Sequence, residues 1–235
     1  MTVSNYVTLT RQSGLLAEMQ TIANNIANAN TSGFRSENIV FSENIRQTEA
    51  GSISMAAARA HSTSFEQGSF SQTNGPFDFA IEGDGFFLVE TPEGQKLTRN
   101  GVFSTNEAGD LVTMDGYPVL DTGGAPVFFP LGSSDFAVAN DGTISAEGQP
   151  IGQIGLYLPE DPQTLIRGEG LLFSAPSYVS DSDSVIFQGF VEESNVNPIM
   201  EIARMVEVQR AYELGQSFLD QENDRQSRSI ETLGK

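Results

Sequence analysis

The feature that most limits how this chain can fold lies near its C-terminus. There Ile202, Met205, Gln209, Tyr212, Gln216, Leu219, Asn223, Gln226, Ile230 and Leu233 recur at alternating spacings of three and four. That period lines one face of an α-helix. Asn197-Pro198 supplies the start, because Asn can cap the first turn and Pro loses only an N–H that would be unpaired there anyway. Gly215 is the one weak helix former inside the repeat. At 1.5 Å per residue the helix should run about 50 Å, whereas a domain of about 100 residues has a radius of gyration near 13 Å. A helix of this length should project past its own domain and hide its stripe elsewhere.

The N-terminus repeats the theme. From about Tyr6 to Ala29 the row Leu9, Gln12, Leu16, Met19, Ala23 and Ile26 keeps the same spacing, widened by Leu15 and Ile22, and Thr31-Ser32-Gly33 supplies a stop. Only Arg11 and Glu18 are charged between residues 2 and 34, and the polar positions are Asn, Thr, Ser and Gln. Such groups enter a crowded interface through hydrogen bonds without the desolvation cost of an ion. Asn24, Asn25 and Asn28 are therefore expected to hydrogen-bond between subunits, in preference to marking a frayed helix end. Gln209, Gln216 and Asn223 share one heptad column, which weakens a simple two-stranded coil but helps to fix register. The blander alternative is that the helices pack on the chain's own β domain, against which their length argues, or that the two ends fold together in part.

Between the ends, short apolar segments alternate with turn residues at Asn106 to Asp110, Asp115-Gly116, Gly123-Gly124 and Asn140-Asp141-Gly142. Strands are expected at 78–82, 85–90, 96–99, 111–114, 118–121, 126–129, 135–139 and 143–146, with more near 153–158 and 170–174. The division that follows is an N-terminal assembly helix (1–35), an extended connector (36–75), a β-rich outer domain (76–175), a returning connector (176–197) and a C-terminal assembly helix (198–235).

Charge narrows the function. Of a net −19, residues 1–35 carry +1 and residues 198–235 carry −2, leaving −18 in the middle. So acidic a surface repels nucleic acid and anionic lipid, and neither is expected as a partner. No apolar run approaches the 20 residues a membrane-spanning helix needs, and a cleavable secretory signal is not expected from the first thirty residues. The absence of cysteine rules out disulfides and zinc-thiolate sites.

Catalysis finds little support. His61 is the sole histidine and is read as incidental. The carboxylate pairs Glu82/Asp84 and Glu192/Glu193 are the candidates for acid–base work, and both are read as ordinary solvated carboxylates. Asp181-Ser182-Asp183 and Asn140-Asp141-Gly142 lack the spaced ligands of a calcium loop, and Gly83-Asp84-Gly85 lacks the Lys of a phosphate loop. No catalytic residue, cofactor or metal is expected.

Three blocks of sequence carry a family resemblance. The run from Ile22 to Phe34, Ile-Ala-Asn-Asn-Ile-Ala-Asn-Ala-Asn-Thr-Ser-Gly-Phe, resembles the N-terminal signature of bacterial flagellar rod and hook proteins. Asp78 to Phe87, then Thr98 to Gly101 and Asp115 to Val119, is similar to the β region of the same family. Gly189 to Asn197, followed by Met205 to Tyr212, resembles its C-terminal part. The blocks stand in the family's order and cover nearly the whole chain. The start, Tyr6-Val7 and Arg11-Gln12, resembles the proximal-rod branch more than the distal-rod or hook branches.

The resemblance implies a structural, self-assembling subunit of the basal-body rod, the shaft that transmits torque for motility, with copies of itself and other axial proteins as partners. It implies type III export without a cleaved signal, through transient contact with the export apparatus, and a place in the rod that crosses the periplasm. It also implies an α+β fold in which long N- and C-terminal helices, poorly ordered before assembly, form a coiled-coil layer around which a central antiparallel β-rich domain is displayed. The assembly residues expected are Leu9, Leu16, Met19, Ile22, Ala23, Asn24, Asn25, Ile26, Asn28, Ile202, Met205, Gln209, Tyr212, Gln216, Leu219, Asn223, Ile230 and Leu233. Gly33, Phe34, Gly189, Phe190, Glu193, Asn195 and Asn197 are expected in the connectors. The alternatives are a distal-rod or hook-type axial protein, or a cell-surface binding module on a helical stalk.

Overall fold

The computed structural model describes residues 3–48, 51–130 and 136–233, with side chains described over 7–41, 61–130 and 136–228. The chain divides into a helical unit (Met1–Ala29, Arg35–Phe65 and Val196–Lys235) and a β unit (Asn30–Phe34 and Glu66–Asn195).

The helical unit contains α1 (Val3–Ala27), a hairpin of β1 (Glu37–Thr48) and β2 (Gly51–Thr63), and α2 (Pro198–Leu233). Helix α1 packs on α2 and on both strands of the hairpin. The strands pair antiparallel along their length, with one irregularity between Val40 and Phe41. Gly33 ends the N-terminal segment at φ +71°, a conformation that costs a residue with a Cβ. Asn197 starts α2, its Oδ1 accepting from the N–H groups of Ile199 (3.1 Å) and Met200 (3.2 Å). No described helix is long and apolar enough to cross a membrane.

The β unit is antiparallel throughout its described strand pairs. Its strands are β3 (Phe70–Gln72), β4 (Phe79–Glu82), β5 (Phe86–Thr91), β6 (Gly94–Thr98), β7 (Phe103–Thr105), β8 (Leu111–Thr113), β9 (Phe136–Val138), β10 (Thr143–Ala146), β11 (Gln149–Gln153), β12 (Leu156–Pro159), β13 (Ile166–Arg167), β14 (Leu172–Ser174), β15 (Tyr178–Ser180), β16 (Val185–Gln188) and β17 (Phe190–Glu192). The largest sheet runs β13-β14-β6-β5-β12-β15; a three-stranded sheet runs β11-β10-β9, and two-stranded sheets pair β4 with β16, β3 with β17 and β7 with β8. Strand β5 explains why this unit has a core on each side of one sheet. Successive side chains of a strand point to opposite faces, so Phe87 and Val89 enter a cluster with Phe79, Ile81, Phe103 and Leu111, while Phe86 and Leu88 enter another with Leu97, Leu120, Tyr157 and Phe173.

The coiled-coil layer expected of the terminal helices is corrected by this structure. Among the described residues there are two α-helices, one at each end of the chain, packed on each other and on a hairpin, and the chain between them also forms a large antiparallel β part; no long coiled-coil layer is present. The physical reason lies in which residues are buried. Helix α1 turns inward Gln12, Glu18, Thr21, Ile22 and Asn25, whereas Leu9 and Leu16 of the heptad row are each 46% exposed. A coiled coil needs that apolar row as its seam, and here polar hydrogen-bonding groups occupy the contact instead. The stretch 36–75, expected as an extended connector, contains the β1–β2 hairpin and β3.

Candidate assembly site

Three polar ties hold the helical unit together, and each reaches across a long stretch of sequence. Near the middle of α1, the Gln12 side-chain amide donates to the backbone carbonyl of Tyr212 at 3.2 Å. It fits because residue 215 is Gly: a Cβ there would lie 3.0 Å from Gln12 Nε2. Lower on the pair, Arg204 directs Nε (3.1 Å) and Nη2 (2.9 Å) at Glu18 Oε1, and its Nη1 donates to Asn38 Oδ1 at 2.9 Å. One guanidinium thereby joins α1, α2 and β1, using the fork geometry that a lysine lacks. At the end of α1, Asn25 donates through Nδ2 to the carbonyl of Glu37 (2.8 Å) and accepts at Oδ1 from the Glu37 N–H (3.0 Å), with Glu201 Oε2 a further 3.4 Å acceptor. Asn25 is 1% exposed.

The residues expected at an assembly interface divide into two groups. Ile22 and Asn25 are buried inside the helical unit, and Met19, Ile26, Asn28, Met205, Tyr212 and Leu219 are half-buried. Leu9, Leu16, Ala23, Asn24, Ile202, Gln209, Gln216 and Asn223 are exposed, while the side chains of Ile230 and Leu233 lie outside the described residues. Asn28 donates to the carbonyl (2.9 Å) and Oδ1 (3.0 Å) of Asn24, one turn back on its own helix. Further apolar side chains face outward on α2: Ile199, Met200, Ile202, Val206, Leu214 and Phe218, of which Leu214 is 73% exposed. Ile199, Ile202 and Val206 stand three and four apart and so share one side of the helix. Beside Leu214 and Phe218 a groove of about 500 Å³ opens between the helices, lined also by Val7, Arg11, Leu15 and Ala211.

The connector residues gather in the β unit. The Gly33 N–H donates to the Glu192 carbonyl at 2.8 Å, the Asn195 N–H reaches the Phe34 carbonyl at 3.4 Å, and the Glu193 N–H donates to the Ser69 carbonyl at 2.8 Å. The buried ring of Phe34 carries the Arg167 guanidinium 4.5 Å above it. Gly189, at φ +78°, donates to the Asp78 carbonyl and accepts from the N–H groups of Thr73 and Asn74, and Phe190 packs edge-on to Phe187. Asn197 belongs instead to the helical unit, as the cap of α2.

The groups weighed for chemistry are dispersed. Glu82, Asp84 and His61 are exposed, Glu192 is buried against Arg99 with Glu192 Oε2 3.2 Å from Arg99 Nε, and Glu193 accepts from the Ser69 hydroxyl at 2.5 Å. Among the described residues no group of three His, Cys, Asp or Glu is placed to hold a metal. Sequence reasoning missed Gln12, Glu18 and Arg204 as tie residues and the outward row on α2. The isolation of Glu18 as the one acid of α1 was the available signal, since a lone ion on a helix packed against others invites a cation partner.

A family model for flagella basal body rod proteins matches residues 6–35, one for the D1 domain of the flagellar hook proteins FlgE/F/G matches 80–146, and one for the C-terminal part of the basal body rod proteins FlgEFG matches 188–232. The chain is 42% identical over 235 residues to flagellar basal-body rod protein FlgF of Mesorhizobium japonicum, with 98% of each chain covered. It is 38% identical to FlgF of Caulobacter vibrioides, over 98% of this chain and 97% of that one. The rod protein FlgG of Bacillus subtilis is 32% identical over 83% of this chain and 86% of its own. Matches that span the N-terminal helix, the β region and the C-terminal helix in one order place the chain in the flagellar basal-body rod protein family.

Proposed function

We propose that the chain is a structural subunit of the bacterial flagellar rod, of the kind represented by its relatives named FlgF, which assembles with copies of itself and with other axial proteins into a torque-transmitting shaft. The observation that carries this is the outward apolar surface of the helical unit, Leu9 and Leu16 on α1 with Ile199, Ile202, Val206, Leu214 and Phe218 on α2, in a chain similar end to end to rod proteins. Apolar side chains exposed in such a row gain about 25 cal/mol for each Å² covered, and neighbouring subunits are the surfaces that would cover them. Export through the flagellar type III pathway without signal cleavage, and a position in the part of the rod that crosses the periplasm, belong to the same proposal.

The test replaces outward residues only. L214E/F218E and I202E/V206E should leave helix content unchanged, and unfolding free energy within about 1 kcal/mol, because exposed positions contribute little to folding. The same variants should fail to enter rods and fail to restore motility to cells lacking the chain. Normal motility from both double variants would remove these faces from the interface, and failure of the unaltered chain to restore it would remove the rod assignment.

A further inference from the structure

The chain crosses between the two units four times, at 29/30, 34/35, 65/66 and 195/196. Within the β unit, the three segments that make those crossings lie side by side. Strand β17 pairs with β3, so Glu192 stands opposite Phe70. The Gly33 N–H donates to the Glu192 carbonyl, and the Asn195 amide donates to the Glu66 carbonyl at 2.9 Å.

At the centre of this bundle sits a buried ion pair. Arg99 is 3% and Glu192 2% exposed, with Arg99 Nε 3.2 Å from Glu192 Oε2. The rest of the guanidinium is committed to the β core, Nη1 donating to the Gly85 carbonyl and Nη2 to the Gly83 carbonyl at 2.7 Å, with the Phe86 ring 5.5 Å beneath it. The other carboxylate oxygen, Oε1, accepts from the Gly68 N–H at 2.9 Å. The backbone at Arg99 also touches the third segment, since a Cβ on Gly33 would lie 2.5 Å from the Arg99 carbonyl carbon. Residues from 30–34, 66–72 and 189–195 thus converge on one charge pair whose arginine is anchored in the loop before β5.

We propose that Arg99–Glu192 is a lock on this joint, holding the three crossing segments to the β core as one piece. Arg99 and Glu192 are positioning residues: the core is packed from Phe79, Phe87, Leu111, Ile144 and their neighbours without them, whereas their side chains tie Gly68 and β17 to the loop before β5. A buried charge is tolerated only while its partner stays in register. Neutralising one side therefore releases all three segments together, and the hydrophobic clusters stay packed. The proposal concerns the isolated chain and stands or falls apart from the rod assignment.

Amide hydrogen exchange on the full-length protein tests it. In E192Q, and separately in R99K, which keeps the charge but loses the fork, the amides of Gly33, Gly68 and Glu193 should exchange about tenfold faster or more, while those of Leu88, Val89 and Leu97 keep their rates. Equal acceleration at core and joint amides, or loss of the folded state in either variant, would show the pair to be part of the global core and overturn the lock. Unchanged exchange at the joint amides in both variants would overturn it as well.

Discussion

The side chain of Asn25 pairs with Glu37 as one backbone strand pairs with another, giving a hydrogen bond to its carbonyl and taking one from its N–H. This fixes the end of α1 to the first residue of the hairpin. Replacing Asn25 by Ala leaves both backbone groups to find other partners in a site that is nearly closed to water. N25A should cost about 2–4 kcal/mol, and N25D should do no better, because a carboxylate oxygen would then face the Glu37 carbonyl. Urea unfolding monitored by circular dichroism gives the number, and a loss under about 0.5 kcal/mol would show that the pairing contributes little.

Gly215 and Gln12 should be energetically coupled. A methyl at 215 favours the helix by about 1 kcal/mol, but it would sit 3.0 Å from the Gln12 amide and displace its bond to the Tyr212 carbonyl. G215A alone is therefore expected to be close to neutral, and G215A in a Q12A background to stabilise by about 1 kcal/mol. A double-mutant cycle reads the difference. Equal effects in both backgrounds would mean that the glycine has no bearing on Gln12.

Gly33 and Gly68 should both resist substitution, for different reasons. Gly33 has a positive φ in addition to the close approach of the Arg99 backbone, whereas Gly68 is limited by space, an added Cβ lying 2.0 Å from the Glu193 carbonyl oxygen. G33A and G68A are each expected to lose about 2–4 kcal/mol. Thermal unfolding of both, beside G94A as a control with nothing within 4 Å and a positive φ of +109°, separates crowding from backbone strain.

Tyr157 sets an alkaline limit for the β unit. Burial first, then the carboxylate of Asp121 and the phenol of Tyr178, raises its pKa above the ordinary value, and its hydroxyl donates to the Asp121 carbonyl at 2.7 Å. The folded chain holds this proton more tightly than the unfolded chain. The associated stability is therefore complete below about pH 10 and is lost as pH rises through the higher folded value. Y157F should cost about 1 kcal/mol at neutral pH and remove this part of the alkaline decline. Denaturant midpoints followed from neutral to alkaline pH, with a phenolate absorbance titration, check both; an identical decline in Y157F would assign it to other groups.

The two helices were legible because their ends are written locally, in Asn197-Pro198 and in Thr31-Ser32-Gly33. Strands such as β4, β5 and β10 were legible from short apolar runs between turns. The buried side of α1 was not. Periodicity follows apolar residues, and α1 buries Gln12, Glu18 and Asn25, whose partners Tyr212, Arg204 and Glu37 are identified only once the chain is folded. The β1–β2 hairpin was missed for a related reason. Gly51 to Thr63, Gly-Ser-Ile-Ser-Met-Ala-Ala-Ala-Arg-Ala-His-Ser-Thr, is rich in Ala and Ser and lacks a sustained alternation of apolar and polar residues. Of the candidate site, the outward positions Leu9, Leu16 and Ile202 were read as apolar helix positions, whereas Leu214 and Phe218 fell outside the heptad row.

The Asn195 amide bonded to the Glu66 carbonyl has a consequence for how such a chain can change over time. It means that the long stretch from 66 to 195 begins and ends at the same spot. A segment with adjoining ends behaves as a cassette: it can be enlarged, trimmed or exchanged at a single seam while the residues before and after it keep their places. Diversity of size and surface can then accumulate in the β unit, and the helical pieces on either side of the seam are free to stay as they are.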